Sequence, residues 1–288
     1  MKTKQSTLET IAVILLVMYM LPFALVLINS AKPSLVIIND PLAFPENPAQ
    51  FAENVTKVMQ NTNVRYASSF FTTVIITVIS VALLILCSSM AAWVLVRTKT
   101  KLSNAIFFVF VSAMIIPFQV VMFPLISWFR MIEVGIGLAN TPFRLLQNYP
   151  GIIFAYLGFG ASFTIFLFHG FIKGVPLELE EAATIDGCTK PAVFFKIVFP
   201  LLTPITVTVL ILNGIWIWND FLLPLLVLGS GNAIQTLPLA VASFVGSFVR
   251  RWDLILTATL MTMLPVIIIF LILQKHIIKG IVDGAVKG

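Results

Sequence analysis

The residues of this chain able to do chemistry are few and widely spaced. His169 and His276 stand far apart with no nucleophile, base or ligand set beside them, so neither a catalytic centre nor a metal site is expected. Cys87 and Cys188 have no metal-site spacing and form no disulfide framework; both read as free thiols. No Gly-x-x-x-x-Gly-Lys-Ser/Thr phosphate loop occurs, so ATP hydrolysis by this chain alone is not expected. What remains is binding chemistry inside apolar surroundings. Gln119, Asn213 and Asn219 carry donor and acceptor groups that match hydroxyl-rich solutes, and Trp216 and Trp218 offer faces for a pyranose ring. The same residues also have structural readings: amides join membrane helices to one another, and tryptophan is enriched at the membrane interface.

The elements that would position these residues are membrane helices. Hydrophobic residues make up 59% of the 288 and charged residues 10%, a balance far from that of soluble domains. Crossing roughly 30 Å of hydrocarbon takes about twenty apolar residues in a helix. The runs that qualify are Ile11 to Ile28, Phe70 to Val96, Ala105 to Trp128, Ile152 to Ile172, Leu201 to Leu222 and Leu254 to Leu273. They lack the alternation of β-barrel strands. The expectation is an all-α, polytopic membrane protein of six spans forming one domain over residues 1–288. Lys2 and Lys4 precede the first run, as in a signal peptide, but that run is long and no small-x-small site follows it, so a retained anchor is expected. Pro238 to Val249 is too short for a seventh span and reads as a re-entrant or interfacial segment.

The net charge of +6 follows membrane orientation, not nucleic acid, because the basic residues sit at the ends of apolar runs. Lys2, Lys4, Arg97, Lys99, Lys101, Lys173, Lys190, Lys196, Lys275, Lys279 and Lys287 fall on the short-loop side, which is predicted to be cytoplasmic together with both termini. Lys32, Lys57, Arg65, Arg130, Arg144, Arg250 and Arg251 fall in longer segments, about 29–69, 129–151 and 229–253, on the other side.

One segment on the predicted cytoplasmic side, about 174–200, stands out. "EEAATIDGCTKPAVFFKIVFPLLTP" reads as two short helices joined by a bend. Pro176 suits a first helical position, and Glu178, Glu180 and Glu181 favour the positive end of a helix dipole. Ala182 and Ala183 keep the helix surface thin. Gly187 ends the helix, Pro191 starts the next, and Pro200 with Pro204 marks the passage into the fifth run. A solvated loop with acidic caps has the same composition, but no other loop on this side is large enough to receive force from outside the membrane.

This segment resembles the EAA loop of the membrane subunits of bacterial ABC importers, with Glu181, Ala182, Ala183, Asp186, Gly187, Ile197 and Pro200 matching and Phe199 in place of the usual leucine. "WNDFLLPLLVL" at 218–228, "TLPLAVASFVGSF" at 236–248 and "QKHIIKGIVDGAVKG" at 274–288 are similar to the carbohydrate-uptake branch related to the maltose-transporter permease. The resemblance implies a type I ABC importer permease fold in a bacterial cell membrane. It also implies a half-pore paired with a second permease, two cytosolic ATPase subunits that bind ATP and Mg, an extracytoplasmic solute-binding protein, and a sugar as cargo. In that frame Glu181 contacts the ATPase cleft, Gly187 permits the bend, and the tail Gly284, Ala285, Val286, Lys287 and Gly288 reaches between the ATPase subunits. The segment with Phe244, Gly246 and Phe248 faces the binding protein or packs as a half-helix on the pore.

An ion-coupled secondary transporter is the rival reading, but it calls for intramembrane acids or repeated halves, and neither is evident. Asp220 falls near the outer end of the fifth run, where a helix end or an interhelical hydrogen bond accounts for it better than proton relay; His169 reads as packed or interfacial. No cationic cluster lies within the spans, which favours a neutral or weakly charged oligosaccharide over a sugar phosphate.

Overall fold

The computed structural model describes residues 2–62, 64–244 and 251–285, with side chains for 8–62, 64–244 and 251–272. Among these residues the chain is all helical and contains no strand. In order, the helices are α1 (Lys2–Ser30), α2 (Ser34–Asn39), α3 (Ala49–Gln60), α4 (Tyr66–Thr98), α5 (Lys101–Ala113), α6 (Phe118–Gly135) and α7 (Tyr149–Ile172). There follow α8 (Glu178–Ile185), α9 (Lys190–Val193), a π-helical turn (Phe194–Val198), α10 (Phe199–Leu201), α11 (Thr203–Asn219), α12 (Leu222–Val227), α13 (Leu237–Ala242) and α14 (Trp252–Ala285).

Five stretches are long and apolar enough to cross a membrane: Leu8–Ser30, Tyr66–Thr98, Phe118–Gly135, Tyr149–Ile172 and Trp252–Ile272. A sixth forms if Lys190–Leu201 and Thr203–Asn219, bent by 76° at Leu202, count as one span. Two expectations need correction. The run from Ala105 to Trp128 is not one helix: α5 ends at Ala113 and α6 begins after Pro117, whose φ and ψ of −63° and 137° are extended. Proline has no N–H to donate and pushes the residue before it out of the helical region, so the helix stops although its neighbours stay apolar. The run from Leu201 to Leu222 likewise stops at Asn219, because Asp220 is extended at φ −70° and ψ 131°, and Leu222 opens the separate α12.

The contacts group the chain into two units, Met1–Phe70 with Leu237–Pro265, and Phe71–Thr236 with Val266–Gly288. In the first unit the end of α1 is tied into a polar corner. Asn54 Nδ2 donates to Ser30 O at 3.0 Å and Lys32 O at 3.1 Å, and Thr257 Oγ1 donates to Ser30 O at 3.0 Å. These bonds satisfy carbonyls that a helix end leaves unpaired. Lys32, 1% exposed, donates to Asn29 Oδ1 at 3.1 Å and Asp40 O at 3.2 Å. Asp253, in the first turn of α14, accepts from Ser34 Oγ at 2.7 Å, while its own N–H donates back to that hydroxyl at 3.2 Å.

In the second unit α7 is the central element. It buries Ile152, Ala155, Tyr156, Gly160, Thr164, Ile165, Phe168 and Ile172 against α4, α5 and α11. Gly160 allows this closeness: a Cβ there would stand 2.8 Å from Leu84 Cδ1 and 3.3 Å from Trp216 Cζ3. His169 is packed, its ring stacked on Phe107 at 3.7 Å and 16°. Cys87 and Cys188 are free thiols, as expected.

Candidate functional site: a bent segment gripped by α4

The segment between α7 and α11 is built from two arms and a turn. The first arm, α8, begins two residues after Pro176 and carries Glu178, Glu180 and Glu181 in its first turn. It closes with a pair of backbone bonds, Gly187 N to Thr184 O at 3.0 Å and Cys188 N to Ala183 O at 3.0 Å. This is the Schellman ending, which requires a left-handed residue. Gly187 supplies it at φ +85°, and a Cβ placed there would meet nothing within 4 Å. Backbone conformation, not space, is what demands glycine here.

The second arm runs from Lys190 to Leu201 through the π-helical turn, where Phe199 N–H reaches back to Phe194 O. Pro200 explains the widening. A proline ring clashes with the carbonyl four residues earlier, here that of Lys196, and an expanded turn relieves the clash. Leu202 then bends the chain into α11.

The two faces of α8 differ. Ala183 is buried in the core, whereas Glu181, Ala182 and Asp186 are exposed. Ile185 is 86% exposed and Leu179 44%, so apolar surface is open on an otherwise polar helix. Ile197 is half-buried against the core and Pro200 is exposed.

Glu180 lies in the first turn of α8 with the other two acids but, unlike Glu178 and Glu181, is turned inward. Its side chain is 8% exposed and paired with Arg97, at 17%, across 2.7 Å from Nη2 to Oε1. Arg97 Nε also donates to Oε1 at 2.9 Å, and Trp93 Nε1 donates to Oε2 at 2.9 Å, so both carboxylate oxygens have partners. Arg97 Nη2 further donates to Val175 O at 2.9 Å. The Trp93 ring lies 5.3 Å from that of Phe194 on the second arm. Trp93, Arg97, Glu180, Glu181, Ile185 and Lys190 line an open groove of about 760 Å³ along this grip. Sequence reasoning missed Trp93 and Arg97 because their partner is more than 80 residues away. The one local hint was their spacing of four on an otherwise apolar helix end.

The amides and tryptophans expected to line a solute path are distributed differently. Asn213 is buried and donates to Thr164 Oγ1 at 3.2 Å and Val209 O at 3.1 Å, so it joins α11 to α7. Trp218 is 5% exposed and lines an apolar cavity of about 320 Å³ with Val81, Ile85, Gly214 and Phe270. Gln119, Trp216 and Asn219 are exposed, with Asn219 bonded back to Ile215 O at 2.8 Å. Trp216 packs edge-on against Tyr156 at 5.5 Å. Tyr156 in turn donates its hydroxyl to Asp220 Oδ2 at 3.0 Å, which makes Asp220 an interhelical acceptor. Phe244 is buried just after α13; Gly246 and Phe248 lie outside the described residues. Gly284 and Ala285 end α14, and Val286, Lys287 and Gly288 lie outside the described residues.

Residues 84–283 match the family described as binding-protein-dependent transport system inner membrane component. The chain belongs to that family. The permease is 36% identical over 277 residues, covering 96% of itself and 95% of its relative, to the probable starch degradation products transport system permease protein AmyC of Thermoanaerobacterium thermosulfurigenes. It is 43% identical over 77% of its length to the melibiose/raffinose/stachyose import permease protein MelC of Bacillus subtilis (strain 168), covering 76% of that protein. Among solved structures, a bacterial ABC transporter involved in the import of the acidic polysaccharide alginate has a chain that superposes with a TM-score of 0.77. That match covers 95% of the permease and 96% of that chain at 18% identity, and it shows the fold alone.

The permease is therefore a multi-pass membrane protein with the ABC importer permease fold, and a transport subunit, not an enzyme. Its relatives are permeases of sugar transport systems, in agreement with the resemblance read from the motifs. Membership in a binding-protein-dependent family implies a solute-binding protein, an ATPase and a second permease as partners, and it sets aside the ion-coupled alternative.

Proposed function

We propose that the permease forms half of the translocation path of an ATP-driven sugar importer, with α8 as the element that takes up ATPase movement. The observation that carries this reading is the two-sided character of α8: Glu180 anchors it to α4 from within, while Glu181, Ala182, Ile185 and Asp186 face outward. Exposed apolar side chains beside acidic ones on a short, capped helix suit a protein partner better than water. The permease has no phosphate loop, so energy reaches it only through a partner that binds its conformations unequally. In this reading the segment 174–200 and both termini are cytoplasmic, the ATPase subunits bind ATP and Mg, and Glu181 and Asp186 meet the ATPase cleft. The tail from Gly284 to Gly288 lies against the ATPase subunits, and the segment of Phe244, Gly246 and Phe248 faces the solute-binding protein. The cargo is a neutral oligosaccharide: relatives are named for melibiose/raffinose/stachyose import, for starch degradation products and for arabinooligosaccharides. Trp216, Asn219 and Gln119, being exposed, are the permease's candidates for contact with it, and Asn213 supports them from behind.

The test uses the whole importer, reconstituted in proteoliposomes with its second permease, ATPase subunits and solute-binding protein. Raffinose, maltotriose and arabinotriose are offered as cargo beside a uronic acid oligomer. Glu181→Lys is expected to lower binding-protein-stimulated ATP hydrolysis by about tenfold or more, through lost coupling between the sites. Stimulation that survives this change, or uptake restricted to the uronic acid, contradicts the reading.

A further inference from the structure

A lever hinged only at its covalent ends transmits little, because its load can be absorbed by rotation at the hinges. The bent segment turns at Gly187, whose φ is +85°, and at Leu202, where the chain bends by 76°. Beyond its covalent ends and the burial of Ala183, Val193, Phe194 and Val198 in the core, it has a polar attachment near the end of α4. Trp93 and Arg97, four residues apart, share one face of that helix. Arg97 holds the first arm through Glu180 and the backbone at Val175, and Trp93 holds Glu180 with its indole N–H and the second arm with its ring against Phe194.

We infer that Glu180 is a positioning residue for coupling: it is not a docking contact but the internal strut that makes α8 and α4 move as one body. This rests on the reading of α8 as the ATPase-docking helix. The chemistry fits a strut better than a surface contact. A guanidinium is a rigid, planar donor set, and charge-assisted hydrogen bonds to a carboxylate with both oxygens occupied leave it little freedom to swing. Glu180 is almost wholly removed from solvent, so a partner protein could reach it only by breaking this pair. Glu181, its exposed neighbour, is free to take the external role. Two adjacent glutamates thus divide the work, one facing in and one facing out. Helix α4 is 33 residues long, so a displacement delivered at Arg97 is carried along a rod of about 50 Å at 1.5 Å per residue. The receiving point for a stroke on the segment is therefore α4, in addition to α7 and α11, to which the segment is covalently joined.

The experiment uses the intact importer in nanodiscs, with Cys87→Ser and Cys188→Ser, and spin labels at Phe71→Cys near the start of α4 and Glu178→Cys in the first turn of α8, away from the outward face assigned to the ATPase. Both label sites are exposed. Double electron–electron resonance reads the distance between them in the nucleotide-free and the ATP–vanadate-trapped states. In a parallel sample, cross-linking from Glu181→Cys reports docking on the ATPase. With the strut intact the distance is expected to stay the same in both states. In Glu180→Gln the geometry is kept, but one of the two opposed donors loses its acceptor. That variant is expected to keep the cross-link, to shift by a few ångström or broaden on trapping only, and to lose most binding-protein-stimulated hydrolysis. Arg97→Lys, which keeps the charge and gives up the fork, is expected to do the same to a lesser degree, and it carries the test should Glu180→Gln fail to assemble. A distance that changes on trapping with the strut intact overturns the inference, as does a Glu180→Gln variant that stays invariant or one that loses the cross-link. Absence of the cross-link in the parent, by contrast, contradicts the docking role of α8 itself.

Discussion

Helices α1 and α7 are both long enough to span a membrane, yet they relate to their own chain in opposite ways. The most apolar stretch of α1 is not buried at all, while half of the corresponding stretch of α7, the less apolar of the two, is buried. In water the order would be reversed. Lipid tails are as apolar as leucine, so hydrophobicity alone does not drive helices together; close packing and polar contacts do. Helix α7 offers Gly151, Ala155, Gly160, Ser162 and Thr164 on its buried face. Helix α1 presents Leu15, Leu16, Tyr19 and Leu27 to its surroundings. On α7 these small residues are interleaved with Ile152, Tyr156, Ile165, Phe168 and Ile172, and the small positions are what let the large ones of neighbouring helices come close.

The sharpest way to break that contrast is to place one large side chain in each helix. Gly160→Leu drives new atoms into Leu84 and Trp216 and is expected to cost about 3 kcal/mol, the upper end for overpacking. Ala24→Leu, at an exposed position of α1, is expected to cost less than about 0.5 kcal/mol. Thermal unfolding of the purified permease in detergent compares the two; equal losses would mean that α1 is packed as tightly as α7. A smaller effect is expected from Tyr156→Phe, which leaves Asp220 without its interhelical donor and is expected to cost about 1–2 kcal/mol. Smaller again is Asn213→Leu, which removes the bond to Thr164, at about 0.6 kcal/mol, the average for such pairs in membrane helices. If Asn213→Leu instead leaves stability unchanged and alters which sugar is taken up, the amide faces the path and not α7.

Much of the scaffold was legible in the residues because a membrane imposes a length and a composition that can be counted along the chain. The break at Pro117 was not, since Met114, Ile115, Ile116 and Phe118 keep the run apolar across it and only backbone chemistry interrupts the helix. The bend at Gly187 was legible because a left-handed helix ending leaves a residue signature. Its anchor was not. Glu180 sits beside Glu181 in a row of acids that all satisfy a helix N-terminus equally well, and nothing local separates the one that turns inward. The distinction depends on Trp93 and Arg97, which the fold brings from another helix. Asn213 had two readings, and its bond to Thr164 favours helix joining over solute contact.

Whether the exposed face of α8 meets an ATPase decides the rest, and photo-cross-linking from that face in native membranes asks it without intermediaries. With a benzophenone side chain in place of Ile185, which is 86% exposed, the expected product is an adduct with the ATPase subunit whose yield changes on addition of ATP and vanadate. An adduct only with proteins or reagents confined to the outer side of the membrane would contradict it.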